Sequence, residues 1–386
     1  MLKKCIAFAV VFAVAAGVAF AQITFGGQLQ EGMDLFSGTN VKDDDVNMGG
    51  NYHSDGPYHQ AQFSVLFGDG TAGGRIVWVT SKQAMWGWMQ WRPSQFFRVK
   101  IGSDFDGEGG FAQIVGWGFT GEAKNSVAAV NDYAGGGLAM SYRNSGLNYG
   151  AYDGYVDSNK MFHLMLSFFP TDLISINVLT RDIHEAKEAS ERLSKLQIYS
   201  NIKLEEIGTI RFAAVGNGGL MKDAADGADI GTLHLAFFSN EIVQGLAFEV
   251  GGQYNLPHLN TPDTFSAIRV GLGVNLTSTD PFNLKVRVGS MFGGQTKGKD
   301  IEKVGLSVGL LPSYKLPKMT IFLHVGFGLE QENKDADAAY DWFVNPYVWV
   351  PMGGMRMWVG VQILDQHSIQ DGRIKWCIPF GFNFYF

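Results

Sequence analysis

The sequence predicts an all-β chain: one transmembrane, up-and-down antiparallel β-barrel of about 20 strands, even in number and within roughly 16–20. Three observations predict it. The last thirteen residues, Ile374 to Phe386, alternate without a break, with Ile374, Trp376, Ile378, Phe380, Phe382, Phe384 and Phe386 on one face. Glycine is abundant at 50 residues, aromatics reach 13%, and mean hydropathy is +0.01, yet no stretch after residue 21 approaches the roughly 20 apolar residues of a membrane helix. Short glycine- and proline-containing breaks interleave with long polar ones, as in barrels with turns at one end and loops at the other.

At the N-terminus, Lys3 and Lys4 precede an apolar run from Ile6 to Val18 and then Ala19-Phe20-Ala21, the pattern of a cleaved secretory signal over residues 1–21. Its removal takes the basic count from 30 to 28 against 37 acids, a net charge of −9, and leaves Cys377 as the one cysteine. Stability must then come from burial and backbone pairing rather than a disulfide. Residues 22–386 read as a single domain. Gln22 to Phe36 is the first strand, with Ile23, Phe25 and Leu29 on one face and no preceding plug.

Alternation alone does not separate a membrane barrel from a soluble sandwich, because period 2 says only that one face is buried. The composition of the second face does. In Phe282 to Gly289 the partners of Phe282, Leu284, Val286 and Val288 are Asn283, Lys285, Arg287 and Gly289. Segments 268–276, 321–329 and 97–102 repeat the pattern. Glycine is poor in ordinary strands and leaves room for water on a lumen wall. Tight turns are expected at 68–74, 92–94, 144–146, 170–172, 205–208, 278–281 and 351–354. Long loops are expected at 37–57, 103–135, 182–194 (with a short helix over 181–194), 217–229, 255–263, 293–301, 331–340 and 365–372. The stretch 78–91 is open to one strand or two.

Enzyme signatures occur in the wrong context. Gly68 to Gly73 matches G-x-G-x-x-G but runs into strand-like Arg75-Ile76-Val77-Trp78-Val79 instead of a helix N-terminus. Gly305 to Gly309 matches a nucleophile elbow but simply alternates with its neighbours. The histidines stand singly, and Asp104-Phe105-Asp106-Gly107-Glu108 lacks the distal glutamate of a calcium loop, so no metal, cofactor or nucleic acid is expected. Trp78, Trp86, Trp88, Trp91, Trp342, Trp349 and Trp376 suit an interfacial girdle. The alternative for inward aromatics is a sugar-stacking path through Phe96, Tyr199, Phe322 and Trp358.

Charge divides by face. Arg98, Lys100, Lys203, Arg211, Arg269, Lys285, Arg287, Arg356, Arg373 and Lys375 fall on the wet face against Glu249, while most acids lie in long loops. Rings of fixed charge set pore selectivity. Either this wall favours anions, or its arginines pair with an inward-folded loop. Asp104, Asp106 and Glu108, at the start of loop 103–135, are the candidates for such a constriction.

Phe386, with Phe384 two before it and Gly381 five before it, resembles the assembly signal of bacterial outer-membrane β-barrel proteins; Pro379 departs from it. Together with the signal peptide and the turn alternation, the chain resembles a general porin. The resemblance implies a non-enzymatic channel in the outer membrane, inserted by the barrel-assembly machinery, passing small hydrophilic solutes, with loop 103–135 folded into the lumen. A homotrimer is open to such a protein. A transporter for hydrophobic compounds, or an adhesin whose lumen is filled, is the competing expectation.

Overall fold

The computed structural model describes residues 23–39, 47–48, 59–69, 71–79, 84–102, 163–180, 196–216, 231–256, 267–293, 304–331, 337–366 and 374–386. They form twenty strands. The first ten are β1 (Ile23–Thr39), β2 (Asn47–Met48), β3 (His59–Gly68), β4 (Ala72–Val79), β5 (Ala84–Ser94), β6 (Phe97–Gly102), β7 (His163–Thr171), β8 (Ile174–Thr180), β9 (Leu196–Leu204) and β10 (Gly208–Gly216). The others are β11 (Gly231–Ser239), β12 (Leu246–Leu256), β13 (Ala267–Thr279), β14 (Phe282–Gly293), β15 (Val304–Leu316), β16 (Met319–Gln331), β17 (Ala339–Met352), β18 (Met355–Gly360), β19 (Gln362–Gln366) and β20 (Ile374–Tyr385). No described helix is long and apolar enough to cross a membrane.

All pairings are antiparallel. β1 pairs β3, and from β3 to β17 each strand pairs the next. β17 pairs both β18 and β19, both pair β20, and β20 pairs β1. β18 and β19 keep one register against both neighbours, Tyr347↔Gly360 continuing as Val344↔Ile363 and Val359↔Phe380 as Gln362↔Cys377. Between them the Val361 N–H still donates to the Pro346 carbonyl at 2.9 Å. The two are one run of chain. The expected pairing of the last strand with the first is present over most of both strands.

The short connections fall where the turn residues stand. They join β3 to β4, β5 to β6, β7 to β8, β9 to β10, β13 to β14 and β17 to β18, all at one end, with both described termini there as well. Two further ones, 240–245 and 317–318, lacked a clear signal. Chain at 78–91 holds the end of β4 and the start of β5. The turn expected at 144–146, the loop 103–135 and the helix over 181–194 lie outside the described residues. β6 and β7 are hydrogen-bonded neighbours, Phe97↔Phe168 through Gly102↔His163.

The β3–β4 turn shows what the short connections require. Gly68 has φ +98°, and a Cβ there would collide with the Ala72 carbonyl oxygen. Asp69 Oδ1 accepts from the Thr71 N–H at 2.7 Å and the Ala72 N–H at 3.0 Å. Those donors, Ala72 first, hold the exposed carboxyl below its ordinary 3.8. A depressed folded value means that this support is present above the unfolded value and fades as pH falls through the folded one. Amide exchange at Thr71 and Ala72 is expected to accelerate below about pH 4 in the native protein and to be pH-insensitive, beyond intrinsic chemistry, in Asp69→Asn. Equal acid sensitivity in both would rule this out.

The ladders also fix which side chains share a face. Phe25, Phe63, Trp78, Met89, Trp91, Phe168, Phe212, Leu235, Val250, Leu272, Leu310, Ile321, Phe327 and Phe384 are exposed on the outer face. Val77, Met165, Leu179, Ala213, Ala236, Leu311, Tyr347 and Trp358 are buried on the inner one. A belt of large exposed apolar side chains running through successive strands is far beyond what a water-soluble surface carries.

Candidate functional site

The inner face is where the charged candidates gather. On β6, Arg98 stands opposite Ser167 and Lys100 lies between Gln90 and Met165. Arg98 Nη2 donates to Ser167 Oγ at 3.1 Å, and its guanidinium lies 5.6 Å from the Phe169 ring centre, with Arg92 at 5.0 Å from the same ring. Lys100 is 1% exposed, its Nζ 3.8 Å from the centre of Trp88. Arg211 on β10 stands 4.8 Å over Phe238, and Arg356 on β18 stands 4.2 Å over Trp349. Lys203, at the end of β9, is exposed.

Four of the expected basic residues are therefore held against rings. A cation over an aromatic face gains about 0.5–2 kcal/mol, and unlike an ion pair the contact leaves the charge uncancelled. The ring also fixes a long side chain along the wall. Phe169 and Phe238 were not among the sequence candidates and Trp88 and Trp349 were expected in the girdle, since nothing local says that they meet a cation on the neighbouring strand.

The backbone positions of Glu249, Arg269, Lys285, Arg287 and Lys375 fall in the same inner register, Glu249 and Arg287 both facing Gly273 from opposite sides. Their side chains lie outside the described residues, as do Arg373, Asp104, Asp106 and Glu108 entirely. Arg75 joins the inner face unannounced, in register with Trp88. Ile76, Val77, Trp78 and Val79 follow it without alternation, so the sequence carries no facial signal there.

The aromatic residues need correction. Phe96 is in the β5–β6 turn and exposed, not on the inner face. Tyr199 is buried on another stretch of wall, its hydroxyl donating to Met165 Sδ at 3.1 Å. Trp88 and Trp349, expected in the girdle, face inward beneath their cations, because strand parity overrides proximity to a strand end. Phe322 and Trp358, by contrast, face the same stretch of β17 from its two sides. Phe322 stacks on Tyr347 at 4.7 Å and 3°, with Trp349 at 4.8 Å, and Trp349 is the ladder partner of Trp358.

At the terminus, the Gly27 N–H donates to the Phe386 carbonyl at 2.9 Å and the Phe386 N–H to the Gly27 carbonyl at 3.1 Å. The Phe386 ring lies 5.9 Å from Phe63 and from Phe384, and Phe63 stacks on Trp78 at 5.8 Å. Gly381 is the inner-face partner of Trp358. Of the two motif-like segments, Gly68 to Gly73 spans the β3–β4 turn and Gly305 to Gly309 lies within β15. Among the described residues no three His, Cys, Asp or Glu side chains converge.

An all-antiparallel sheet of this kind, with a belt of exposed apolar side chains on one face, has counterparts among solved structures. OccK3 (OpdO) of Pseudomonas aeruginosa superposes with a TM-score of 0.51 at 8% identity, over 95% of this chain and 96% of that one. The fold is that of outer-membrane channel proteins. The outer membrane channel DcaP of Acinetobacter baumannii gives 0.50 at 11% identity over 95% and 98%, and in-vitro folded OmpT, an outer membrane protein of Vibrio cholerae, 0.50 at 10% over 94% and 97%. No family model and no curated protein matches the sequence.

Proposed function

We propose that the chain is an outer-membrane porin: a closed barrel through which small hydrophilic solutes diffuse passively, with a wall that favours anions and catalyses nothing. One observation carries this reading. The pairing returns from β20 to β1, so among the described residues each long strand has a neighbour on both sides, and the exposed outer belt is apolar while the inner face holds Arg98, Lys100, Arg211 and Arg356. Only helices and closed barrels satisfy the backbone in lipid. Counting β18 with β19 once and leaving aside the two-residue β2, the twenty strands give eighteen crossings. The proposal includes removal of residues 1–21 on export, insertion by the assembly machinery and a homotrimeric state; a monomeric mass in native mass spectrometry would overturn the last part.

The proposal also takes segment 103–135, which leaves the chain directly after Arg98 and Lys100, as the constriction, with Asp104, Asp106 and Glu108 facing that wall. Planar bilayers test the whole. Folded protein is expected to give ohmic conductance with a reversal potential on the anion side in a salt gradient, and liposomes carrying it to swell in small sugars. No conductance sinks the porin, cation preference sinks the basic-wall reading, and an unchanged potential in Asp104→Asn/Asp106→Asn/Glu108→Gln sinks the constriction.

A further inference from the structure

The cluster on β16, β17 and β18 has features that a charge-selective wall does not need. Along β17, Asn345, Tyr347 and Trp349 face inward at alternate positions, a row about 13 Å long at strand rise. Phe322 and Tyr347 stack with ring planes 3° apart, and Trp349 tilts against both at 4.8 and 6.0 Å. Arg356 lies 4.2 Å over Trp349, and Trp358 is its neighbour on β18. Phe322, Trp349 and Arg356 are half-buried and form the open side; Tyr347, Trp358 and Asn345 form a buried floor.

Asn345 Oδ1, in a side chain 3% exposed, and Trp349 Nε1 are both buried and have no hydrogen-bond partner among the described residues. Buried polar groups are rarely left unpaired, so the pair marks what a ligand would supply. Asn345 Oδ1 needs a donor and Trp349 Nε1 needs an acceptor. A carboxylate offers acceptors alone and would set a further oxygen against Asn345. A purely apolar aromatic offers neither. A hydroxyl is donor and acceptor at once and suits either orientation of the Asn345 amide. Several hydroxyls on a body with an apolar C–H face, of a length that fits the row, describe a short neutral saccharide.

We propose that Asn345, Tyr347 and Trp349, with Phe322 and Arg356, form a saccharide subsite on the inner face near the short-turn end. It rests on the porin reading for one thing, the aqueous route by which a solute reaches the inner face. Aromatic faces hold the sugar ring, while Trp349 Nε1, Arg356 and the Asn345 amide take its hydroxyls.

Isothermal titration of the folded protein in detergent with maltose is the test, beside single-channel recording in the same sugar. Saturable binding is expected, weakened about tenfold in Trp349→Ala and a few-fold in Trp349→Phe, which keeps an aromatic face but loses the N–H and part of the stacking area. Trp349→Phe keeps the test decisive where the alanine variant fails to fold, as read by circular dichroism. Absence of saturable binding, equal affinity in wild type and Trp349→Phe, or tighter binding of benzoate than of maltose would each overturn the subsite. A channel that conducts without binding maltose removes this inference alone, and binding without conductance removes the porin reading alone.

Discussion

Phe386→Ser is expected to lower the yield of membrane-assembled protein by about tenfold, and removal of residues 384–386 to abolish it. The two variants differ in what they take away. Serine keeps both hydrogen bonds between residue 386 and Gly27 but loses the ring that packs against Phe63 and Phe384. Withdrawing such a ring from an apolar surround costs about 2–3 kcal/mol, with a further 0.5–1.5 kcal/mol for the aromatic contacts. The truncation also strips the pairing of Phe384 with Leu29 and Met355, leaving backbone groups without partners where lipid offers none. Protease-resistant, membrane-extracted protein after expression is the readout. Wild-type yield from Phe386→Ser would mean that the terminal ring has no part in closing the sheet.

The second large effect is electrical. Exchanging Arg211 and Arg356 for glutamate is expected to shift the anion-to-cation permeability ratio by about tenfold toward cations, with conductance of the same order. Each exchange moves two charge units at the wall, and each places a carboxylate where a cation now rests on Phe238 or Trp349. The negative face of a ring repels that carboxylate, which therefore turns away from the wall into the path of the solute. Reversal potentials in a tenfold salt gradient decide it. An unchanged potential would show that neither position meets the permeating ion.

Much of the fold was legible because its physics is local. Alternation in Ile374 to Phe386 located β20, and breaks such as Pro170-Thr171-Asp172 located turns, since proline and aspartate grouped together favour a turn over a strand. The turn at 317–318 escaped because Tyr314 to Lys318 holds only one residue of that kind. The site was less legible. Alternation put Arg98, Arg211 and Arg356 on the inner face, but the rings beneath them come from other strands or from beyond a turn, and register decides those meetings. Arg75 was silent because the apolar run after it does not alternate, and Phe322 and Trp358, far apart in the chain, join one cluster only because β17 lies between their strands.

Partners across a ladder lie on one side of the sheet, so each strand passes its sidedness to the next. Starting at Phe25 and going by Val65, Ile76 and their successors, the outer side returns through Phe384 to Leu29 still outermost. A slip of one residue in any ladder would arrive at β1 inside out, and only a second odd slip could restore it. The arrangement works as a parity check on folding: a single register error anywhere in the sheet is exposed at one place, where β20 meets β1. The irregularity between Asp34 and Phe36, which leaves Leu35 as an extra residue, lies on that same ladder. The seam that detects an odd slip thus also holds a bulge, the local means of absorbing one.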